Sequence, residues 1–217
     1  MDVNAQFAGY EYHYTYIVFC GFIVWLIIPG LGLLYGGLAR RKSSLALLFQ
    51  SLAVVSVTTF QWMFWGYTLA YSRTAGPFIG DMANFGMRNV GVAPSPGSPY
   101  LPEIVFCLYQ LLFCACTVQI VIGGSFERGR ILPSLVFGFF WATIVYCPIA
   151  CWTWNANGWL FNLPSLDFAG GGPVHQASGW SALAYAVVLG KRKTVGEKSH
   201  GKPHNTTLVF LGTVLIW

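Results

Sequence analysis

The sequence predicts an all-α fold, a polytopic bundle of transmembrane helices. Only 9% of its 217 residues are charged and 55% are hydrophobic, whereas soluble domains carry about 25% charged residues. Four charge-free apolar runs are each long enough to cross a hydrocarbon core about 30 Å thick. The runs lack the two-residue alternation of barrel strands, and helices and closed barrels are the structures that span lipid. Helices are therefore predicted.

Six apolar segments are candidate spans, at approximately 17–39, 44–71, 104–125, 131–151, 173–190 and 207–217. The first four are the long charge-free runs. The fifth is shorter and rich in Gly, Ala and Ser, which allow close helix contacts in lipid. The sixth begins near the end of the sequence. We expect no separate soluble domain.

The connections between the spans carry loop signals. Segment 72–102 is long and contains three prolines between Pro94 and Pro99, so we predict an irregular connection. Segment 152–172 is shorter and tryptophan-rich, which is typical of anchoring at the membrane–water interface. The first 16 residues lack a basic n-region, and we expect no cleaved signal peptide.

Basic residues are distributed unevenly between the two sides of the predicted bundle. Arg73 and Arg88 lie on one side, and the other ten of the 12 Lys and Arg residues lie on the opposite side: Arg40, Arg41, Lys42, Arg128, Arg130, Lys191, Arg192, Lys193, Lys198 and Lys202. The positive-inside rule then predicts an extracellular N-terminus and a cytoplasmic 191–206 loop. No segment offers the clustered basic face with interleaved aromatics that nucleic-acid binding needs.

Two ionisable residues near the fifth span are candidates for function. His175 is the only histidine inside a predicted span, and ionisable groups at membrane depth often mark functional sites. A satisfied core histidine remains the alternative. Asp167 precedes the glycines 170–172 and a helix start. Its carboxylate is placed to accept from free backbone N–H groups, and we favour this structural role over direct ligand contact.

The six cysteines lie within or beside apolar runs and form no CxxC pair. We interpret them as small buried apolar residues, and we predict no metal site and no cofactor. A transporter or channel fits these residues best. An intramembrane enzyme is less favoured, because it would need clustered acids or metal ligands.

Several motifs along the chain resemble one known family. Residues 29–38 are PGLGLLYGGL, residues 167–171 are DFAGG with His175 following, and residues 189–192 are LGKR. This set resembles the ammonium transporter, methylammonium permease and Rhesus family. Residues 147–155, CPIACWTWN, are similar to its fungal permease branch in particular.

The resemblance implies a role for four residues. Trp154 would help recruit ammonium or methylammonium at an outer aromatic site, and Phe113 would be an aromatic gate. His175 would be the first of two pore histidines and would relay the proton. Asp167 would hold the recruitment site in shape. Transport would then proceed by deprotonation and passage of ammonia through a hydrophobic pore.

The resemblance also implies an assembly in the plasma membrane. The family forms homotrimers with one pore per subunit, built from two inverted five-helix repeats. The chain would be the N-terminal half: the first repeat, the start of a sixth helix and an incomplete pore. The alternative is a non-transporting regulatory or sensing subunit of a transporter trimer. Leu111 and Leu112 are bulkier than the family pattern before the gate position.

Overall fold

The regular structure is helical throughout the described residues of the computed structural model, which are 6–125, 127–163, 165–191 and 202–217. The helices are α1 (Glu11–Leu38), α2 (Arg41–Tyr71), α3 (Glu103–Gly123), α4 (Ile131–Trp154), α5 (171–189) and α6 (Thr206–Ile216). The predicted all-α fold is confirmed. Segment 72–102 is irregular apart from one short 3₁₀ turn at Phe85–Met87.

Four helices, α1 to α4, are long and apolar enough to span a membrane within the described part of the chain. Helix α6 is shorter, as is the α-helical part of α5, Ala177–Leu189. Large apolar side chains project outwards, and Leu45, on α2, is 77% exposed. An apolar exterior of this kind suits a lipid environment, because lipid does not penalise exposed hydrocarbon.

Helices α2 and α4 each contain a π-helical turn, at Trp62–Gly66 and Ala142–Tyr146. Such turns interrupt the regular ladder and often lie at functional sites. Thr143 joins the two helices here, since its Oγ1 accepts from Gln61 Nε2 at 3.1 Å and from Trp65 Nε1 at 3.0 Å. The polar contacts fix α2 against α4 inside an apolar bundle.

At one end of the bundle, α2 ends, α3 begins and α4 ends close together. Glu103 is buried at the start of α3, where it accepts from Tyr67 Oη at 2.8 Å and pairs with Arg73 at 2.9 Å. Asn155 Nδ2 donates to the oxygens of Ala70 and Ser72 at 3.1 and 3.0 Å. These bonds position the end of α4, which carries Trp154.

The connections α1–α2 and α3–α4 meet at the opposite end. Arg40 pairs with Glu127 at 3.4 Å, and Arg128 donates to the oxygen of Ala186, near the end of α5, at 3.2 Å. The basic connections that the structure describes therefore share one end of the bundle. Predicted loop residues Arg192, Lys193 and Lys198 lie outside the described residues, as do residues 1–5.

Candidate functional site

Phe113 and Trp154 line one cavity of about 460 Å³ at the end of the bundle where α4 ends. The lining residues are Gly97, Phe106, Tyr109, Gln110, Phe113, Trp154, Phe161, Phe168 and Ala169. Six of these nine residues are aromatic. Aromatic faces attract cations electrostatically, and the wall of this cavity presents several such faces.

Phe113 reaches this cavity from α3 together with Tyr109. The two residues are four apart and so lie on one face of the helix. Their ring centroids are 5.0 Å apart at 79°, an edge-to-face contact. Leu111 is buried in the core, and Leu112 packs against the cluster that contains Ile28. The two bulky leucines are therefore accommodated in packing contacts and do not line the aromatic cavity.

Trp154 is the last residue of α4, and its indole is hydrogen-bonded to the 155–170 connection. Its indole Nε1 donates to the main-chain oxygen of Asp167 at 2.8 Å. Because this bond uses the only polar atom of the ring, the remaining ring surface is apolar or π-rich. The indole is thus fixed in orientation while part of it lines the cavity.

The Asp167 carboxylate organises the start of α5. Oδ1 accepts from the backbone N–H groups of Gly170 at 2.8 Å and Gly171 at 2.6 Å, and Oδ2 accepts from that of Gly172 at 2.6 Å. Helix starts leave such N–H groups free and favour negative charge. The carboxylate thus holds the start of α5, and through its main-chain oxygen the same residue holds Trp154.

Gly170 lies where the start of α5 contacts the Trp154 indole. Its φ is +84°, in the left-handed region that favours glycine. A Cβ at this position would lie 2.8 Å from Val174 Cγ2 and 3.1 Å from Trp154 Cζ2. The backbone at the start of α5 therefore passes directly against the indole. Glycine is needed at position 170 for its positive φ and because there is no room for a Cβ.

His175 lies in the first turns of α5, where its backbone N–H donates to the oxygen of Gly170 at 3.1 Å. Its side chain is exposed and is not among the residues that line the aromatic cavity. The structure therefore brings Phe113, Trp154 and Asp167 together but leaves His175 on an open face of α5.

Sequence reasoning missed most of the cavity wall. Tyr109 had a detectable signal, because it lies four residues before Phe113. Phe161 and Phe168 come from the 155–170 connection, and their contribution depends on tertiary folding. Gln110 contributes a polar group whose Oε1 accepts from Tyr71 Oη at 2.8 Å.

A metal site needs a cluster of ligands, and the part of the chain that the structure describes contains none. No group of three or more His, Cys, Asp or Glu residues comes together there. The six cysteines are free thiols, and five of them are buried.

The apolar exterior, the four membrane-length helices and the aromatic cavity at one end together define a multi-pass helical membrane protein. Comparison with protein families then identifies its relatives. A family model described as the Ammonium Transporter Family matches residues 15–217, and the chain belongs to this family.

Curated relatives and solved structures agree with this assignment. Ammonium transporter 1 of Schizosaccharomyces pombe is 51% identical over 195 residues, which are 90% of this chain and 39% of that protein. Ammonium transporter MEP2 of Saccharomyces cerevisiae is 49% identical and matches 100% of this chain and 44% of its own length. The crystal structure of Candida albicans Mep2 superposes with a TM-score of 0.91 at 44% identity, covering 100% of this chain and 48% of that one. The chain thus spans less than half the length of these relatives.

Proposed function

We propose that the chain forms part of an ammonium transporter that recruits ammonium or methylammonium at the aromatic cavity. The observation that carries the proposal is the meeting of Phe113 and Trp154 in one cavity, with the Trp154 indole held by Asp167. The names of the relatives support the choice of substrate, since each is an ammonium transporter.

The chemistry of the cavity suits this substrate. Ammonium loses hydration when it enters an apolar site, at a cost of several kcal/mol. Attraction to aromatic faces offsets about 2 kcal/mol or more of this cost once the site is desolvated. In this proposal Trp154 recruits the cation, Phe113 gates the way inward, and Asp167 keeps the indole in place.

His175 is the proposed proton acceptor beyond the gate. Histidine is the side chain whose charge changes most readily near neutral pH, so it can take the proton while neutral ammonia crosses the apolar passage. Potassium has no proton to give up and would be excluded. In the whole protein we propose that further helices cover the exposed face of α5 and enclose His175, and that three such subunits form a homotrimer.

We further propose a plasma-membrane protein with an extracellular N-terminus and a cytoplasmic 191–206 loop. The support is the separation of charge along the bundle. The cavity lies at the end where α4 ends, whereas Arg40, Arg128 and their basic neighbours lie at the other end. Positive residues favour the cytoplasmic side, so the cavity would open to the outside.

The alternative, a regulatory or sensing subunit without transport, has less support. A solved structure described as a sensor Amt protein superposes with a TM-score of 0.86, but its identity to this chain is only 23%. That similarity shows a shared fold and carries no function.

Uptake measurements on the whole protein test the proposal. The full protein is expressed in cells that lack their own ammonium transporters, and labelled methylammonium uptake is measured against concentration. Saturable uptake that ammonium inhibits is the expected result. A protein that reaches the membrane as an assembled oligomer and moves no methylammonium would favour the sensing alternative.

A further inference from the structure

A second, much smaller cavity lies among α1, α2 and α3, apart from the aromatic cavity. Its volume is about 10 Å³, and it is lined by Tyr35, Leu47, Gln50, Ser51, Val54, Gln119, Ile122 and Gly123. None of these residues lines the aromatic cavity. Four of the eight lining residues carry a polar side chain: Tyr35, Gln50, Ser51 and Gln119.

Both glutamines present a buried amide atom without a partner among the described residues. Gln50 is 7% exposed and Gln119 is 3% exposed. The atoms are Gln50 Nε2 and Gln119 Oε1, and neither has a hydrogen-bond partner in the described part of the chain. Buried amide atoms are costly when unpaired, and in folded proteins they pair with protein groups or with ordered water.

The rest of the Gln119 amide is fully engaged, which fixes its orientation. Gln119 Nε2 donates to the oxygen of Ile28 at 3.1 Å and to Ser51 Oγ at 2.7 Å. Ser51 Oγ in turn donates to the oxygen of Leu47 at 3.0 Å. The amide nitrogen is therefore committed to α1 and α2, and Oε1 remains an acceptor on a residue that lines the cavity.

We propose that this cavity binds one water molecule, which accepts from Gln50 Nε2 and donates to Gln119 Oε1. A cavity that leaves about 10–15 Å³ for water holds a single molecule when polar partners are present. The water would link α2 to α3 inside the membrane-spanning core.

Water fits this pair of groups better than ammonium does. Of the two unpartnered amide atoms, Gln50 Nε2 is a donor and Gln119 Oε1 is an acceptor. Water both accepts and donates, whereas ammonium only donates and has no lone pair for the Gln50 N–H. The site is therefore distinct in chemistry from the aromatic cavity, and this inference does not rest on the proposed function.

A structure of the full protein at a resolution that shows ordered water tests the proposal directly. We expect one solvent peak within about 2.7–3.2 Å of both Gln50 Nε2 and Gln119 Oε1, with or without ammonium in the buffer. Absence of the peak, a direct bond between the two amides, or a peak that appears only when ammonium is added would overturn it.

Two variants of α2 separate the water from simple packing. Gln50→Met keeps the side-chain length but removes the donor, and we expect the peak to disappear and the Tm of the full protein to fall by roughly 1–2 °C. Leu47→Met, the matched control, changes a residue of the same cavity wall that offers no polar side-chain atom, and we expect both the peak and the Tm to be retained. A peak and Tm unchanged in Gln50→Met would contradict the proposal.

Discussion

The indole nitrogen of Trp154 donates to the main-chain oxygen of Asp167 at 2.8 Å, and the carboxylate of the same aspartate accepts from three N–H groups at the start of α5. One residue thus connects the end of α4 to the beginning of α5. The orientation of the indole and the integrity of the α5 start are therefore coupled.

Removal of the indole should weaken recruitment. In the full protein, Trp154→Leu keeps apolar bulk but loses the π-face, and we expect at least about a tenfold rise in the half-saturation concentration for methylammonium uptake. Trp152→Leu is the matched control. Trp152 lies on the same helix, donates to the oxygen of Phe78 at 2.6 Å, and does not line the cavity. Equal half-saturation values in both variants would leave Trp154 as an interface anchor.

Loss of the Asp167 charge should loosen both the helix start and the site. In Asp167→Asn, the new amide nitrogen faces backbone N–H groups whose hydrogen bonds the wild-type carboxylate accepts. The variant also lacks the negative charge that is favourable at a helix start. We expect a lower Tm and weaker apparent affinity in the uptake assay.

Asp81→Asn is the control for this variant. Asp81 also accepts three hydrogen bonds, from Ser72 Oγ, Thr74 Oγ1 and the Ala83 N–H. The two hydroxyls and the N–H hold the pKa of Asp81 below its ordinary value, so it is ionised at neutral pH. Because Asp81 does not line the aromatic cavity, its loss should leave the half-saturation value unchanged. If both variants shift affinity equally, the role given to Asp167 is wrong.

A pair of glycine variants distinguishes backbone strain from contact with the indole. Gly170→Ala adds strain at φ +84° and places a Cβ 3.1 Å from Trp154 Cζ2. Gly86→Ala adds strain at φ +62° but meets no atom within 4 Å. Each strain costs about 1–2 kcal/mol, so both should lower the Tm. Only Gly170→Ala should also raise the half-saturation concentration; a similar rise in Gly86→Ala would exclude a specific effect on the indole.

The sequence predicted the helices well because each helix follows from a local feature, a continuous apolar run. A run without charge and about 20 residues long has to be helical in lipid, so α1 to α4 follow from composition alone. The Asp167 contacts were also foreseeable, since an acid before a glycine-rich helix start has free N–H groups nearby. Phe161 and Phe168 were not predicted, because a loop aromatic joins a cavity only through the path of the folded chain. The small polar cavity at Gln50 and Gln119 depends likewise on three helices meeting.

The exposed side chain of His175 allows a test that does not depend on packing within the described helices. His175→Ala in the full protein removes the proposed proton acceptor and widens the passage. Because the side chain is exposed on the described helices, the variant should leave the packing of these helices against one another intact. We therefore expect reduced ammonium flux and increased potassium permeation, measured as currents or uptake in membranes with matched amounts of protein. Gln176→Ala, an equally exposed neighbour on α5, should retain the selectivity of the wild type. If His175→Ala keeps both its ammonium flux and its discrimination against potassium, the histidine is a packing residue and deprotonation must occur without it.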